Sequence, residues 1–152
     1  MKENKYDLLQ LKNQLCFPMY LCSKEVIRRY TPLLEKLDLT YTQYIVMLYL
    51  WERDECNVKE LGNTLLLDSS TLTPLLKKIE SKGYINRIRS SSDERNLIIT
   101  LTKRGEKLKD KALEIPKKMG ECINLNDEEV KTLYTILYKV LTNIEKENDI
   151  WK

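Results

Sequence analysis

The segment from Asn57 to Thr102 constrains the fold more than any other part of the chain. Asn57 can cap a helix that runs to about Leu65, and Leu66, Leu67 and Asp68 link it to a second helix opening Ser69-Ser70-Thr71. In that second helix Leu72, Leu75, Leu76 and Ile79 fall at i, i+3, i+4 and i+7, so one face must be buried. Gly83 fits the left-handed residue that ends a helix. An extended run follows at once, Tyr84-Ile85-Asn86-Arg87-Ile88-Arg89, then a polar tip from Ser90 to Arg95 and a return strand from Leu97 to Leu101. The pattern predicts a mainly α fold, a winged helix-turn-helix with a two-stranded β-wing.

Around this segment the chain is helical. A first helix is expected from about Tyr6 to Tyr30, with Leu8, Leu11, Leu15, Met19, Cys22, Val26 and Ile27 as its apolar stripe. Pro18 lies inside that stripe and should kink the helix just after Cys16, and Thr31-Pro32 reads as a break. Thr40-x-x-Gln43 is a capping box for a helix ending near Arg53, with Tyr44, Met47, Leu48 and Trp51 on one face. Thr102 can cap a further helix that Pro116 interrupts and Gly120 weakens. Asn126-x-x-Glu129 opens the last helix, whose stripe is Val130, Leu133, Leu137, Val140, Leu141 and Ile144.

The apolar surface at the two ends exceeds what a small winged-helix core needs. It suggests a dimer interface, with ordinary packing within the chain as the competing account. The expected organisation is one winged-helix protomer over residues 1–152. Residues 40–102 form the winged helix, and residues 1–30 and 103–152 form dimerisation helices.

Charge matters here by position. The net charge is only +3, but Lys77, Lys78, Lys82, Arg87, Arg89 and Arg95 gather in and after the second helix of the motif. With its apolar face inward, that helix turns Ser69, Ser70, Thr71, Thr73, Lys77 and Lys78 outward, where they can reach base edges and phosphates. A solvated, well-capped polar face would look the same, and the wing decides between the two. Strand alternation puts Arg87 and Arg89 on one face and Ile88 on the other. Arg95 at the tip suits a narrow minor groove, and Asp93, whose carboxylate should repel phosphate, is placed to orient Arg95 or to fix the wing. A basic hairpin directly after such a helix points to double-stranded DNA.

Other function classes lose ground. The chain has no histidine, so histidine acid–base catalysis is excluded, and the 4 cysteines form no C-x-x-C pair, which argues against a structural metal. No apolar stretch resembles a secretory leader or a membrane span, so a cytoplasmic protein with reduced thiols, no cofactor and no enzymatic activity is expected.

Asp93-Glu94-Arg95-Asn96-Leu97-Ile98-Ile99-Thr100-Leu101-Thr102 resembles the wing signature of the MarR family of transcriptional regulators. The run Leu67 to Lys78 resembles the recognition helix of its OhrR-like, organic-hydroperoxide-sensing branch, as do Asn13-Gln14-Leu15-Cys16-Phe17, Pro32 to Leu37 and Thr40-Tyr41-x-Gln43-Tyr44. The resemblance covers nearly the whole chain. It implies a homodimeric repressor on an inverted-repeat operator. Read alone, Cys16 is a small apolar residue on a helix stripe, and buried inert cysteine is the commoner case. The resemblance instead places the family's sensing thiol on Cys16 and its two supporting phenols, contributed by the partner subunit, on Tyr30 and Tyr41. Hydrogen bonds to a thiolate favour the nucleophile that a peroxide needs.

Relatives complete the oxidation with a small free thiol or with a cysteine of the opposite subunit. Cys122 lies in the corresponding region, which implies an intersubunit Cys16–Cys122 disulfide, with Cys22 and Cys56 as bystanders. Pro18 departs from the family pattern beside Cys16. Three rivals stand: a MarR regulator of small aromatic compounds with an inert Cys16, a thiol peroxidase, and a DNA-architectural protein.

Overall fold

The computed structural model describes residues 5–89 and 97–146. The chain divides into two compact units, Met1–Ile115 and Pro116–Lys152.

The first unit opens with two short 3-10 turns, Asp7–Leu9 and Leu11–Asn13. The helix expected from Tyr6 is therefore absent up to Leu15. Polar side chains compete with helical bonding there: Gln10 Nε2 donates to Asp7 Oδ1 at 2.7 Å, Asn13 Nδ2 to the Asp7 carbonyl at 2.7 Å, and Gln14 Nε2 to the Leu8 carbonyl. Helix α1 spans Cys16–Leu34. Pro18 thus falls in its first turn, where an amide would have no intrahelical acceptor, and the helix that it was expected to kink after Cys16 instead begins at Cys16. The break expected at Thr31-Pro32 is also absent. Pro32 sits in the last turn, where it removes a single backbone bond, and Thr31 Oγ1 donates to the Ile27 carbonyl at 3.2 Å. A 3-10 turn, Glu35–Leu37, then closes on Asp38, whose backbone is left-handed (φ 54°).

Helices α2 (Tyr41–Arg53), α3 (Val58–Leu65) and α4 (Ser69–Ser81) form the helix-turn-helix. Thr40 and Gln43 make the expected capping box. Asn57 Oδ1 accepts from the Glu60 amide at 2.7 Å, but the Glu60 carboxylate turns to the Tyr49 hydroxyl, also at 2.7 Å, so this second box is only half formed. Leu66 takes the left-handed turn between α3 and α4. Gly83 (φ 73°) ends α4 as expected, with its amide bonded to the Glu80 carbonyl and the Tyr84 amide to that of Ile79.

The core joins Leu34, Leu37, Met47, Leu50, Leu61, Leu72, Leu76, Ile79, Ile85 and Ile99, all buried. Burying each such side chain stabilises the fold by about 1.5–3 kcal/mol relative to exposure. Leu48, expected on the inner face of α2, is instead exposed, because Val46 and Leu50 turn the buried arc away from it.

The sheet has three antiparallel strands in the order β1-β3-β2. Strands β2 (Ile85–Arg89) and β3 (Leu97–Leu101) are the expected wing pair. Strand β1 (Glu55–Asn57) was not expected; it pairs with β3 through Cys56↔Ile99. Helix α5 (Lys103–Ala112) begins at the Thr102 cap, whose hydroxyl accepts from the Gly105 amide at 3.0 Å. Its first turn comes so near the sheet that a Cβ on Gly105 would lie 2.0 Å from the Tyr84 carbonyl oxygen. Trp51 Nε1 donates to the Gly105 carbonyl at 2.9 Å, fixing the same contact from α2.

Helix α6 spans Glu114–Ile123, so the expected interruption falls just ahead of Pro116, which occupies the first turn of the new helix. In the second unit Gly120 stays helical, and α7 (Asp127–Lys146) opens on a complete capping box between Asn126 and Glu129. Val130, Leu133, Leu137, Leu141 and Ile144 of α7 are exposed. No helix among the described residues is long and apolar enough to cross a membrane.

Candidate nucleic-acid interface and thiol site

Asp68 organises the start of α4. One carboxylate oxygen accepts from the Thr71 amide at 2.8 Å and from the Ser70 hydroxyl at 2.6 Å, and the other from the Thr71 hydroxyl at 3.2 Å. These bonds, the one from Ser70 first, hold its carboxyl below the usual carboxylate range. Ser69, Ser70, Thr71, Thr73, Lys77 and Lys78 are all exposed, as the helical pattern requires. They differ in freedom. The hydroxyls of Ser70 and Thr71 are engaged by Asp68, whereas Ser69, Thr73, Lys77 and Lys78 have no side-chain partner among the described residues. Lys59 and Asn63 of α3 line the same cleft as Ser69 and are candidates that the sequence reading does not include. Their signal was the i, i+4 spacing on the polar face of α3.

The wing keeps the expected alternation but turns the opposite face inward. Arg87 stands opposite Ile99 and shares a face with Ile85, and both isoleucines are buried. Its Nε donates to Glu80 Oε2 of α4 at 2.7 Å, so its guanidinium is tied to the helix. Ile88, expected to pack inward, is 54% exposed. Ile85 and Ile88 differ by three positions and cannot share a strand face; the core takes Ile85. Arg89 is exposed opposite Leu97. Asp93 and Arg95 lie outside the described residues.

Cys16 is the first residue of α1; it is exposed and has no hydrogen-bond partner among the described residues. Tyr30 and Tyr41 come together, with ring centres 4.9 Å apart, and Tyr44 joins them 5.9 Å from Tyr30. Tyr44, one turn after Tyr41, lies on the same face of α2 and adds a third ring to the expected pair. Burial, then the neighbouring Tyr41, pushes the Tyr30 phenol above its ordinary range. Burial followed by Tyr30 and Tyr41 does the same to Tyr44. Both phenols therefore stay protonated and able to donate.

Cys16 does not join this cluster along its own helix. It stands fourteen residues before Tyr30 on the unbroken α1, which is about 21 Å at a rise of about 1.5 Å per residue. Cys22 is exposed further along α1, and Cys122 is exposed on α6. Cys56 is buried in β1, and burial, reinforced by Glu60, pushes its thiol up to about 11, which suits the bystander role expected of it.

Comparison with known proteins gives the family and supports the winged-helix fold. The family model for the transcriptional regulators SarA/Rot matches residues 28–112. The organic hydroperoxide resistance transcriptional regulator of Bacillus subtilis is 45% identical over 146 residues, covering 96% of this chain and 99% of its own. Among solved structures, AbfR of Staphylococcus epidermidis in its reduced, DNA-bound form superposes with a TM-score of 0.77 at 36% identity, over 93% of this chain and 99% of that one. Its overoxidised, DNA-bound form gives 0.75 at 36% identity, over 93% and 99% of the two chains. Its disulfide form gives 0.64 at 35% identity, over 93% and 97%. The chain belongs to the MarR/SarA-type transcriptional regulators, in their OhrR-like branch.

Proposed function

We propose that the chain is a cytoplasmic redox-sensing repressor that binds an inverted-repeat operator as a homodimer and releases it when Cys16 is oxidised by an organic hydroperoxide. The observation that carries this reading is the separation along α1. A thiol about 21 Å along α1 from Tyr30 reaches the Tyr30–Tyr41 pair by pairing with a second copy rather than along its own helix. Apolar surface is available for such pairing: Leu8 is 81% and Leu15 73% exposed, and the α7 stripe is open as well. In this reading residues 1–30 and 103–152 form the dimer and residues 40–102 read the DNA.

The chemistry closes in two steps. The Cys16 thiolate attacks the outer oxygen of the hydroperoxide, the O–O bond breaks, and the alcohol leaves after taking up a proton. The partner's Cys122 thiol then attacks the sulfenic sulfur, forming the disulfide and releasing water. Tyr30 and Tyr41 donate hydrogen bonds to the thiolate from the partner subunit. The overoxidised form of the neighbour AbfR is described on DNA, while its disulfide form is a separate structure. The DNA-bound overoxidised form supports covalent linkage, rather than oxidation as such, as the event to test for release. A dimer whose two reading helices sit about 34 Å apart matches successive grooves, and rotation of the winged units breaks that match. A differential stability of about 3–5 kcal/mol is enough to move the population.

On the DNA side, Ser69, Thr73, Lys77 and Lys78 are free to contact it. Ser70 and Thr71 act through oxygens held by Asp68, and Arg89, Asp93 and Arg95 serve the wing. The test uses Cys16→Ser and Cys122→Ser proteins with cumene hydroperoxide. Wild type should form a covalent dimer on a non-reducing gel and leave DNA, and Cys122→Ser should form no covalent dimer. Release of DNA by peroxide-treated Cys16→Ser would refute sensing through Cys16.

A further inference from the structure

We propose that Lys82 is a positioning residue that couples the phenol cluster to the reading helix, so that without it the protein binds DNA but responds weakly to oxidation. This rests on the redox reading above. Lys82 is the last residue of the α4 cap, and its ammonium uses all three of its donors on one corner of the fold. It donates to the Asp38 carbonyl at 2.6 Å, to Asp38 Oδ1 at 3.1 Å and to Gln43 Oε1 at 3.1 Å. Asp38 holds the left-handed turn between α1 and α2, and Gln43 is a buried polar side chain within the first turn of α2.

A second bond runs the same way two residues later. The Tyr84 hydroxyl, buried, donates to the Leu37 carbonyl at 3.0 Å. Both bonds therefore join the α4–β2 turn, bent by Gly83, to the segment from Leu37 to Gln43.

The opposite side of that segment carries the phenols. Tyr41 and Tyr44 sit in the same first turn of α2 as Gln43, and both rings contact Tyr30 of α1. The first turn of α2 is thus held on one side by Tyr30 and on the other by Lys82. A displacement of the phenols when the thiol they serve is oxidised must shift this turn, and the ammonium passes the shift to the end of α4. Arginine cannot replace it, because a planar fork does not converge three donors on one corner.

The experiment measures DNA affinity of full-length protein before and after cumene hydroperoxide, using a duplex selected from a randomised pool by reduced wild type. The readout is the ratio of the two affinities. Lys82→Met should lower the ratio about tenfold, on the scale of ordinary coupling between sites. Tyr84→Phe, which removes one hydroxyl and serves if Lys82→Met does not fold, should lower it less but in the same direction. Lys36→Met, an exposed lysine at the same corner, should leave it unchanged. A merely structural Lys82 would lower both affinities by one factor, or lower the unfolding midpoint alone, with the ratio intact. Either result overturns the proposal. Wild type that does not respond to peroxide overturns the redox reading itself, and this inference with it.

Discussion

Replacing Arg87 by alanine separates two jobs that a wing arginine can do. Its Nε lies 2.7 Å from Glu80 Oε2, and the two side chains are 20% and 36% exposed. At an effective dielectric of about 20, two unit charges at that distance attract by about 6 kcal/mol. Desolvation and the ordering of two long side chains offset most of it, leaving a net coupling of about 1–2 kcal/mol for a half-shielded, charge-assisted pair. A double-mutant cycle with Glu80→Gln, read by urea unfolding, should return a coupling of about that size.

DNA affinity should fall by a similar amount in either single variant, because the wing is no longer fixed to α4. The dependence of affinity on salt should not change, since no phosphate contact is lost. If Arg87 instead contacts a phosphate, the salt slope falls by about 0.9 for each contact removed, and Glu80→Gln strengthens binding by removing a nearby negative charge. A reduced slope with no measurable coupling to Glu80 would refute the clamp.

Further outcomes are expected. Gly105→Ala pushes a methyl to within 2.0 Å of the Tyr84 carbonyl and should cost about 2–3 kcal/mol or more, seen as a lowered thermal midpoint; a midpoint like wild type's would show that α5 is not seated on Tyr84. Asp68 has a folded pKa below its ordinary 3.8, so its contribution is complete above that value and is lost as pH falls through the lower folded value. Asp68→Asn keeps a cap without a titrating group, and its acid unfolding profile should therefore be flatter than wild type's below about pH 4. Cys56, with its thiol near 11 and buried, should react with an aromatic disulfide reagent at pH 8 only after denaturation; fast labelling in the native protein would contradict its place in β1.

What could be read from sequence was whatever local chemistry decides. Thr40, Asn57, Thr102 and Asn126 are short polar side chains beside helical stripes, and each caps a helix as expected, while Asp68, read only as part of a link, caps α4 as well. The partition of α4 into a buried face and an exposed polar face followed from period alone. Tertiary competition decided the rest. The three residues of β1 are too few to alternate, and their pairing exists only because β3 offers an edge. The parity of β2 hung on which of Ile85 and Ile88 the core would accept, and the sequence treats them alike. The prolines misled because position within a helix, rather than presence, sets their effect: Pro18 in a first turn and Pro32 in a last turn leave α1 whole. Of the candidate site, resemblance pointed to Cys16, Tyr30 and Tyr41, and the two tyrosines do lie together, while the addition of Tyr44 to that pair and the tie between Arg87 and Glu80 required packing to be known.

The continuity of α1 has a consequence for when the protein can function at all. In the proposed reading the sensing sulfur stands at one end of this helix and the phenols that serve it stand near the other, so a solitary chain owns every part of the detector and none of its wiring. Under the proposed mechanism, responsiveness to oxidant and recognition of a two-fold operator switch on together, at the concentration where copies associate. Freshly synthesised or highly diluted chains would be deaf to peroxide and unable to hold the operator, with no separate inhibitor required.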